Sequence, residues 1–304
     1  MKRQLTICML AALLLALPMN VQAKLNVFAC EPEWGALAKE IGDNKLNIIV
    51  ATHAKQDPHY IRARPSLIAK IRRADMVICS GAGLEIGWLP LLLQKGSAKV
   101  QINSVGHLVA SDYVPILEKP KVVDRSLGDV HPEGNPHIHL NPHNMLPVAK
   151  ELAARLAKLD QANATFYHDR FNAFKKRWTK SIASWEKKVL ALKEMHVVVH
   201  HRAFSYLIHW LNVKQVASLE SKPGIPPTTA HLESVLQQLE KTPAHAIIRT
   251  PYEPGKASEW LSRKANIPAI ILPYTTINKT KSKDLFALFN QTIDLLMGAM
   301  HVQP

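Results

Sequence analysis

The sequence predicts an α/β protein of two lobes, each with a parallel sheet flanked by helices, joined by one long connecting helix. Two observations favour this class. Short apolar runs alternate with amphipathic helical patterns in both halves of the 304-residue chain, as in parallel α/β folds. Between the halves, a helical pattern of about 30 residues would extend some ~45 Å, more than one small lobe needs. The carboxyl ends of the strands, where parallel sheets bind ligands, would then meet in an interlobe cleft.

The N-terminal lobe is predicted to span residues 24–162, after a leader at 1–23. Its strands are short apolar runs and its helices repeat apolar residues every three or four positions. The predicted strands are Leu25–Ala29, Leu46–Ala51 and Met76–Cys79, with a weaker signal at Val100–Ile102. The predicted helices are Trp34–Ile41, Ser66–Arg73 and Met145–Leu159.

The connecting helix is predicted over residues 163–193, because apolar residues recur at spacings of three to five from Phe166 to Leu192. The C-terminal lobe follows over residues 194–304. Its predicted strands are His196–His200, Gln215–Leu219, Ala244–Arg249 and Ala269–Leu272. Its predicted helices are Ala203–Leu211, Thr229–Glu240, Lys256–Lys264 and Lys283–Met300.

Residues 1–23 have the pattern of a secretory signal peptide. Lys2 and Arg3 precede an apolar stretch over 7–17, and Val21-Gln22-Ala23 provides small residues for cleavage. The apolar stretch is too short to span a bilayer comfortably. We therefore expect an exported, periplasmic protein that is cleaved near Ala23.

The formal charge of +14 suggests nucleic acid or an anionic membrane surface as a partner. Its distribution argues against nucleic acid. The basic residues are scattered among acids, and the longest basic run after the leader is Lys175-Lys176-Arg177. Aromatic residues do not alternate with basic ones as a stacking platform requires. We expect solvated helix faces and no nucleic-acid partner.

Three of the 15 histidines are placed where a cleft site needs ligands. His59 lies in the loop after the second predicted strand, His137 follows the last strand region of the first lobe, and His201 directly follows the first predicted strand of the second lobe. Three neutral imidazoles suit a borderline-soft divalent cation, zinc first. Spacing alone is weak evidence, and we interpret six of the other histidines as structural: His107, His168, His200, His209, His245 and His301.

The residues flanking these histidines resemble the motifs of a known family. In order, they are Asp57-Pro58-His59 with Arg64-Pro65-Ser66, Asn135-Pro136-His137-Ile138-His139-Leu140, and His201-Arg202-Ala203-Phe204-Ser205-Tyr206. They look like the metal-binding motifs of the solute-binding proteins of zinc and manganese ABC importers, the cluster A-I family. The resemblance covers essentially the whole chain. It implies that His59, His137 and His201 hold one metal ion in the interlobe cleft, for delivery to a membrane permease.

The sequence departs from this family at two places. Family members often have an Asp ligand after the last strand of the second lobe, where this chain has Leu272-Pro273-Tyr274-Thr275. Many zinc-specific members carry a long His-rich loop, of which only His131-Pro132-Glu133-Gly134 remains, so we expect a vestige at most. The fourth ligand is left open between water, Asp57, Glu31 and Glu253. A site of three nitrogens favours zinc over manganese, which prefers oxygen.

Two functions follow from these residues. The first is a monomeric, non-catalytic binding protein that delivers zinc to an ABC permease. The alternative is an exported zinc-dependent hydrolase, because three histidines and a water also form catalytic zinc sites. An obvious general base beside the histidines is missing, which favours the binding protein.

Loss of the leader removes Cys8 and leaves Cys30 and Cys79. Both lie at the carboxyl ends of predicted strands that are commonly adjacent in this topology. Export to an oxidising compartment favours a disulfide between them. Two buried free thiols, or thiolate ligands for the metal, are the alternatives.

Overall fold

Two four-stranded parallel sheets form the framework of the protein. The structure is a computed structural model that describes residues 23–124, 128, 131–277 and 281–300. The predicted leader therefore lies, apart from Ala23, outside the described residues. Within the described ranges, no helix is both long enough and apolar enough to cross a bilayer.

The first sheet has the strand order β2-β1-β3-β4. Its middle strands are buried on both faces over Val27–Ala29 and Met76–Cys79, and these segments are apolar, as expected for parallel strands covered by helices. The strands are β1 (Leu25–Ala29), β2 (Leu46–Val50), β3 (Met76–Cys79) and β4 (His107–Val109). The helices of this half are α1 (Pro32–Gly42), α2 (Pro65–Ile71), α3 (Leu89–Leu93) and α4 (Pro142–Leu159), all with a proline in the first turn.

The strand predicted at Val100–Ile102 is wrong. Val100 is buried at the end of a 3-10 turn, whereas Ile102 is 71% exposed. The Gln101 side chain donates to the carbonyl groups of Leu93 and Ser97 and so holds a turn in place of a strand. The fourth strand is β4, which pairs with β3 through Val77 and His107. Helix α3 was not predicted, because five residues are too short for a helical period to be visible.

The second sheet has the strand order β6-β5-β7-β8, which is the same topology as the first. The strands predicted from the sequence are present to within about two residues. They are β5 (His196–Val199), β6 (Lys214–Ser218), β7 (Ala246–Arg249) and β8 (Ala269–Ile271). The helices are α6 (Ser205–Leu211), α7 (Thr229–Lys241), α8 (Lys256–Ala265) and α9 (Leu285–Met300).

The connecting helix α5 spans Ala164–Lys188, and a 3-10 turn at Val189–Leu192 completes the predicted segment. Helix α5 is hydrogen-bonded to both halves of the protein. The Trp178 indole donates to the carbonyl of Pro142 at the start of α4, and the Trp185 indole donates to Asn290 on α9. One continuous buried cluster includes residues of both sheets and of α5. The long helix is therefore part of a core that both lobes share.

The predicted disulfide is confirmed. Cys30 directly follows β1 and Cys79 ends β3, and these strands are neighbours in the sheet. Their sulfur atoms are bonded, with the Cα atoms 4.9 Å apart. The bond joins residues 49 positions apart in the chain. Neither sulfur is then a thiolate, so the alternatives of free thiols and of thiolate ligands do not apply to this structure.

Candidate metal site

The three predicted histidines meet in space. One ring nitrogen from each of His59, His137 and His201 lies within 4.8 Å of those of the other two. The ring centroids are 5.5 Å apart for His59 and His137, and 5.9 Å apart for each pair that includes His201. The rings stand nearly perpendicular to one another. In the part of the chain that the structure describes, no carboxylate belongs to this group of converging atoms.

His59 is positioned by a short turn that begins at a proline. Pro58–Tyr60 is a 3-10 helix, and Asp57 caps it by accepting from the backbone amide of His59. The same carboxylate oxygen lies 2.6 Å from Nδ1 of His59. A carboxylate can only accept here, so Nδ1 carries the proton and Nε2 keeps its lone pair. That is the tautomer which a metal-binding imidazole needs.

His137 is the most buried of the three, with 1% of its surface exposed. Its backbone amide donates to the side chain of Asn135, and its Nδ1 lies 2.8 Å from the hydroxyl of Tyr274. Its Nε2 is buried without a hydrogen-bond partner. A buried lone pair without a partner destabilises the folded protein unless a donor or a cation occupies the position that it faces. A metal cation in the space between the three rings would satisfy this lone pair.

His201 lies two residues beyond the end of β5. Its Nδ1 is 2.7 Å from a carboxylate oxygen of Glu220, which follows the neighbouring strand β6. Parallel pairing of β5 with β6 places the residues after both strands at the same edge of the sheet. The sheet itself therefore brings the carboxylate to the histidine. All three rings have Nδ1 held by a polar side chain, which leaves Nε2 for a ligand.

A set of hydrogen bonds between the lobes holds His137 beside His201. The Asn135 amide donates to the carbonyl of Arg202 and to the carboxylate of Glu118. Glu118 also accepts from the hydroxyl of Ser205, and the hydroxyl of Tyr206 donates to the carbonyl of Asn135. The loop before His137 is thus tied to the turn that follows His201. These contacts, together with the sheets, set the spacing between His137 and His201.

Comparison with known proteins identifies the family of this chain. A sequence model of the family described as zinc-uptake complex component A, periplasmic, matches residues 27–299. The chain belongs to this family. Its members are the metal-binding, non-catalytic components of ABC importers, the cluster A-I proteins, so the hydrolase alternative is not supported.

Three similar proteins illustrate the breadth of the family. The manganese ABC transporter substrate-binding lipoprotein scaA of Streptococcus gordonii is 23% identical over 267 residues, covering 86% of this chain and 83% of that protein. A zinc-bound crystal structure of a ZnuA variant with 138–173 deleted has a TM-score of 0.77 at 18% identity, covering 92% and 100%. The manganese-bound periplasmic metal-binding protein of Candidatus Liberibacter asiaticus has a TM-score of 0.74 at 15% identity, covering 91% and 100%. The two structures share the two-lobed α/β fold of this family member.

The electrostatics of this family member keep the histidines in distinct states. Burial, with the charges of His59 and His201, holds the pKa of His137 well below its ordinary value, so its ring is neutral. Burial also disfavours the charged form of His201, but the hydrogen bond and charge of Glu220 outweigh it and raise the pKa of His201. Burial likewise works to raise the pKa of Asp57, yet the hydrogen bond and charge of His59 lower it overall. Asp57 therefore stays ionised as the acceptor for His59.

Among the described residues, none of the three carboxylates considered as a fourth ligand belongs to the converging group. Asp57 holds His59, and one oxygen of Glu253 accepts from the backbone amide of Thr250 while its other oxygen is buried without a hydrogen-bond partner. Glu31 lies in a separate buried group with Glu85 and Ser80. Tyr274, in the segment after the last strand of the second sheet, bonds Nδ1 of His137.

Sequence reasoning missed four residues of the site. Glu220 and Tyr274 orient ligand-candidate rings, and only the strand pairing and the chain path bring them there. His139, in the same motif as His137, is buried between Glu33 and the carbonyl of Tyr274 and so has a structural role. His131 was expected to be a vestige of a longer loop, but its Nε2 lies 3.1 Å from Nε2 of His59.

Proposed function

We propose that the protein binds zinc in the periplasm through His59, His137 and His201 and delivers it to the membrane permease of an ABC importer. The supporting observation is the convergence of three imidazole nitrogens whose opposite ring nitrogens are all held by other side chains. Such pre-oriented imidazoles lose little conformational freedom on binding a cation. Zinc here is the cargo, and no chemical step is performed on it.

The donor set supports zinc ahead of manganese. All three converging atoms are nitrogens, and the nearby carboxylates of Asp57 and Glu220 act as acceptors for ring N–H groups. Manganese prefers oxygen ligands, whereas imidazole suits zinc. Relatives named for manganese show that the fold itself does not decide the metal. The proposal therefore depends on the side chains of this chain.

Delivery requires a partner, and for members of this family that partner is the membrane permease of the ABC importer. The lobes share one buried core, and α5 is bonded to both of them. Wide opening of the cleft would expose that core to water, at a cost on the order of 25 cal/mol for each Å² of apolar surface. We propose that the protein acts as a monomer, and that release follows when docking on the permease disturbs the coordination.

Titration of the metal-free mature protein with zinc and with manganese, in competition with a chelator, tests this proposal. Zinc should bind more tightly than manganese, and well below micromolar. His59→Ala, His137→Ala and His201→Ala should each weaken zinc binding by roughly 100-fold or more, since each removes a whole ligand. His143→Ala is the matched control, because His143 is exposed and paired with Glu186. Tighter manganese binding would refute the zinc assignment, and wild-type affinity in all three variants would refute the site.

A further inference from the structure

The C-terminal lobe contains a cavity of its own, outside the group of three histidines. Its volume is about 410 Å³, which is within the range of small-molecule sites. Residues that follow β5, β6 and β7 line it, namely His200, Glu220 and Pro254. Parallel sheets bind ligands beyond such strand ends, at the point where the strand order reverses, as it does here around β5. We propose that this cavity binds a small organic monocarboxylate with an apolar body.

His200 directs its side chain into this cavity. Its backbone continues the ladder of β5, since its amide donates to the carbonyl of Ile248 on β7. Side chains two positions apart on a strand share a face, so His200 lies on the same face as Val198. Val198 packs in a buried cluster with Leu232 of α7, and Trp260 of α8 packs against that cluster. Leu232 and Trp260 line the cavity together with His200.

The ring of His200 has a polar atom that the protein leaves unpaired. Only 4% of the residue is exposed, and its Nδ1 is buried without a hydrogen-bond partner. An unpaired buried polar group destabilises a folded protein, and native structures pair nearly all of them. In the tautomer that carries the proton on Nδ1, His200 can donate to an oxygen atom of a ligand. The cavity beside the ring provides the room for that ligand.

The start of α8 supplies the positive potential that a carboxylate needs. Lys256 and Ala257, the first two residues of the helix, line the cavity. The N-cap residue is Gly255, which has no side chain to accept from the amides of the first turn. These amides and the helix dipole attract an anion, and the Lys256 ammonium adds a full positive charge. Glu220 also lines the cavity, and its negative charge favours a singly charged anion over phosphate.

The other walls of the cavity are apolar. Trp260 lines it from α8, Leu232 from α7, and Pro226 and Pro227 from the loop that precedes α7. Leu232 is buried, whereas Pro226 is exposed and Trp260 is half-buried. A planar apolar body would cover this surface and stack on the indole of Trp260. An apolar wall beside a cation and a buried hydrogen-bond donor is the combination that recognises an organic acid.

Fluorine NMR of the metal-free mature protein labelled with 5-fluorotryptophan tests the proposal. Metal-free protein is needed because a carboxylate would also coordinate bound zinc. The chain has six tryptophans, and Trp260→Leu identifies the signal of Trp260. Phenylacetate should shift that signal and leave the others in place, with a dissociation constant of about 1 mM or below for its roughly ten non-hydrogen atoms. Phenylacetamide, which lacks the charge, and inorganic phosphate, which lacks the apolar body, should bind at least about fivefold more weakly.

Two variants remove the polar contacts one at a time. Lys256→Gln and His200→Leu should each weaken phenylacetate binding about three- to tenfold, since each removes one partner of the carboxylate. Lys256 is exposed, so its replacement tests the site without disturbing the core. Lys264→Gln, near the other end of α8 and also exposed, is the matched control and should bind like the wild type.

Three outcomes would overturn the proposal. They are an unshifted Trp260 signal in the wild type, equal binding of phenylacetate and phenylacetamide, and wild-type affinity in both Lys256→Gln and His200→Leu. None of them bears on zinc binding by the three histidines, which is measured separately.

Discussion

The hydroxyl of Tyr274 lies 2.8 Å from Nδ1 of His137, in the same relation that Asp57 has to His59 and Glu220 has to His201. Two of the three rings are therefore oriented by carboxylates and one by a phenol. A carboxylate allows only one tautomer, because it can only accept. A phenol can donate or accept, so zinc binding must select the state in which Nδ1 of His137 donates.

Tyr274→Phe should weaken zinc binding about tenfold, within the range found for partners of ligand histidines. The variant leaves Nδ1 of a deeply buried ring without an acceptor. Competition titration with a chelator measures the effect. Tyr252→Phe is the matched control, since Tyr252 is a neighbouring phenol whose ring centroid is 5.5 Å from that of Tyr274. In the described part of the chain, its hydroxyl does not bond any of the three histidines. Equal affinities in the two variants would contradict the orienting role of Tyr274.

Glu220→Gln should weaken zinc binding roughly 10- to 100-fold. The amide can present its NH₂ group to Nδ1 of His201, which then accepts and places its proton on Nε2, where the cation should bind. Glu220 also accepts from the backbone amide of Gly224, so the local loop is loosened as well. Calorimetry with zinc measures the affinity, and Glu240→Gln on the exposed face of α7 is the control. An affinity within twofold of the wild type would show that the carboxylate does not set the tautomer.

The ligand candidates could be predicted from the sequence, whereas their partners could not. His59, His137 and His201 stand in short local motifs, and the strand endings near them are visible as the ends of apolar runs. Glu220 is 19 residues from His201, and only the pairing of β5 with β6 brings them together. Tyr274 is 137 residues from His137. The fold class and most strands followed from apolar patterns, but α3 and β4 did not, because three to five residues are too few to establish a period.

Removal of the disulfide should destabilise the protein without affecting the site. Closing a loop of about 50 residues contributes on the order of 4 kcal/mol through the entropy of the unfolded chain. Cys30 and Cys79 are buried, so alanine is a suitable replacement at both positions. The double variant Cys30→Ala/Cys79→Ala should lower the free energy of unfolding in urea by about 2–4 kcal/mol. Its zinc affinity should stay within twofold. Two alkylatable thiols in unreduced, denatured wild type would show that the bond does not form.

A pair of buried carboxyl groups should make the stability of the metal-free protein depend on pH. Burial, with the charges of Glu85 and Glu33, raises the pKa of Glu31 well above its ordinary value of 4.5. Burial also raises the pKa of Glu85 to about 7, although hydrogen bonds from Gly81 and Glu31 oppose the shift. The folded protein therefore holds protons that the unfolded chain has released above pH 4.5. The stability from these groups is complete below pH 4.5 and is lost as the pH rises through about 7.

Glu31→Gln should reduce this pH dependence. Its amide can still donate to Glu85, but it cannot ionise, and Glu85 loses an acidic neighbour. The free energy of unfolding of the wild type should be lower at pH 8 than at pH 5. A pKa shift of the size seen at Glu85 corresponds to a loss on the order of 3 kcal/mol. The free energy of unfolding of the Glu31→Gln variant should fall by clearly less. Urea unfolding of metal-free protein at both pH values measures the difference, with Glu240→Gln as the exposed control. Parallel losses in the wild type and Glu31→Gln would mean that Glu31 is already ionised in the folded protein, and the buried pair would then share no proton.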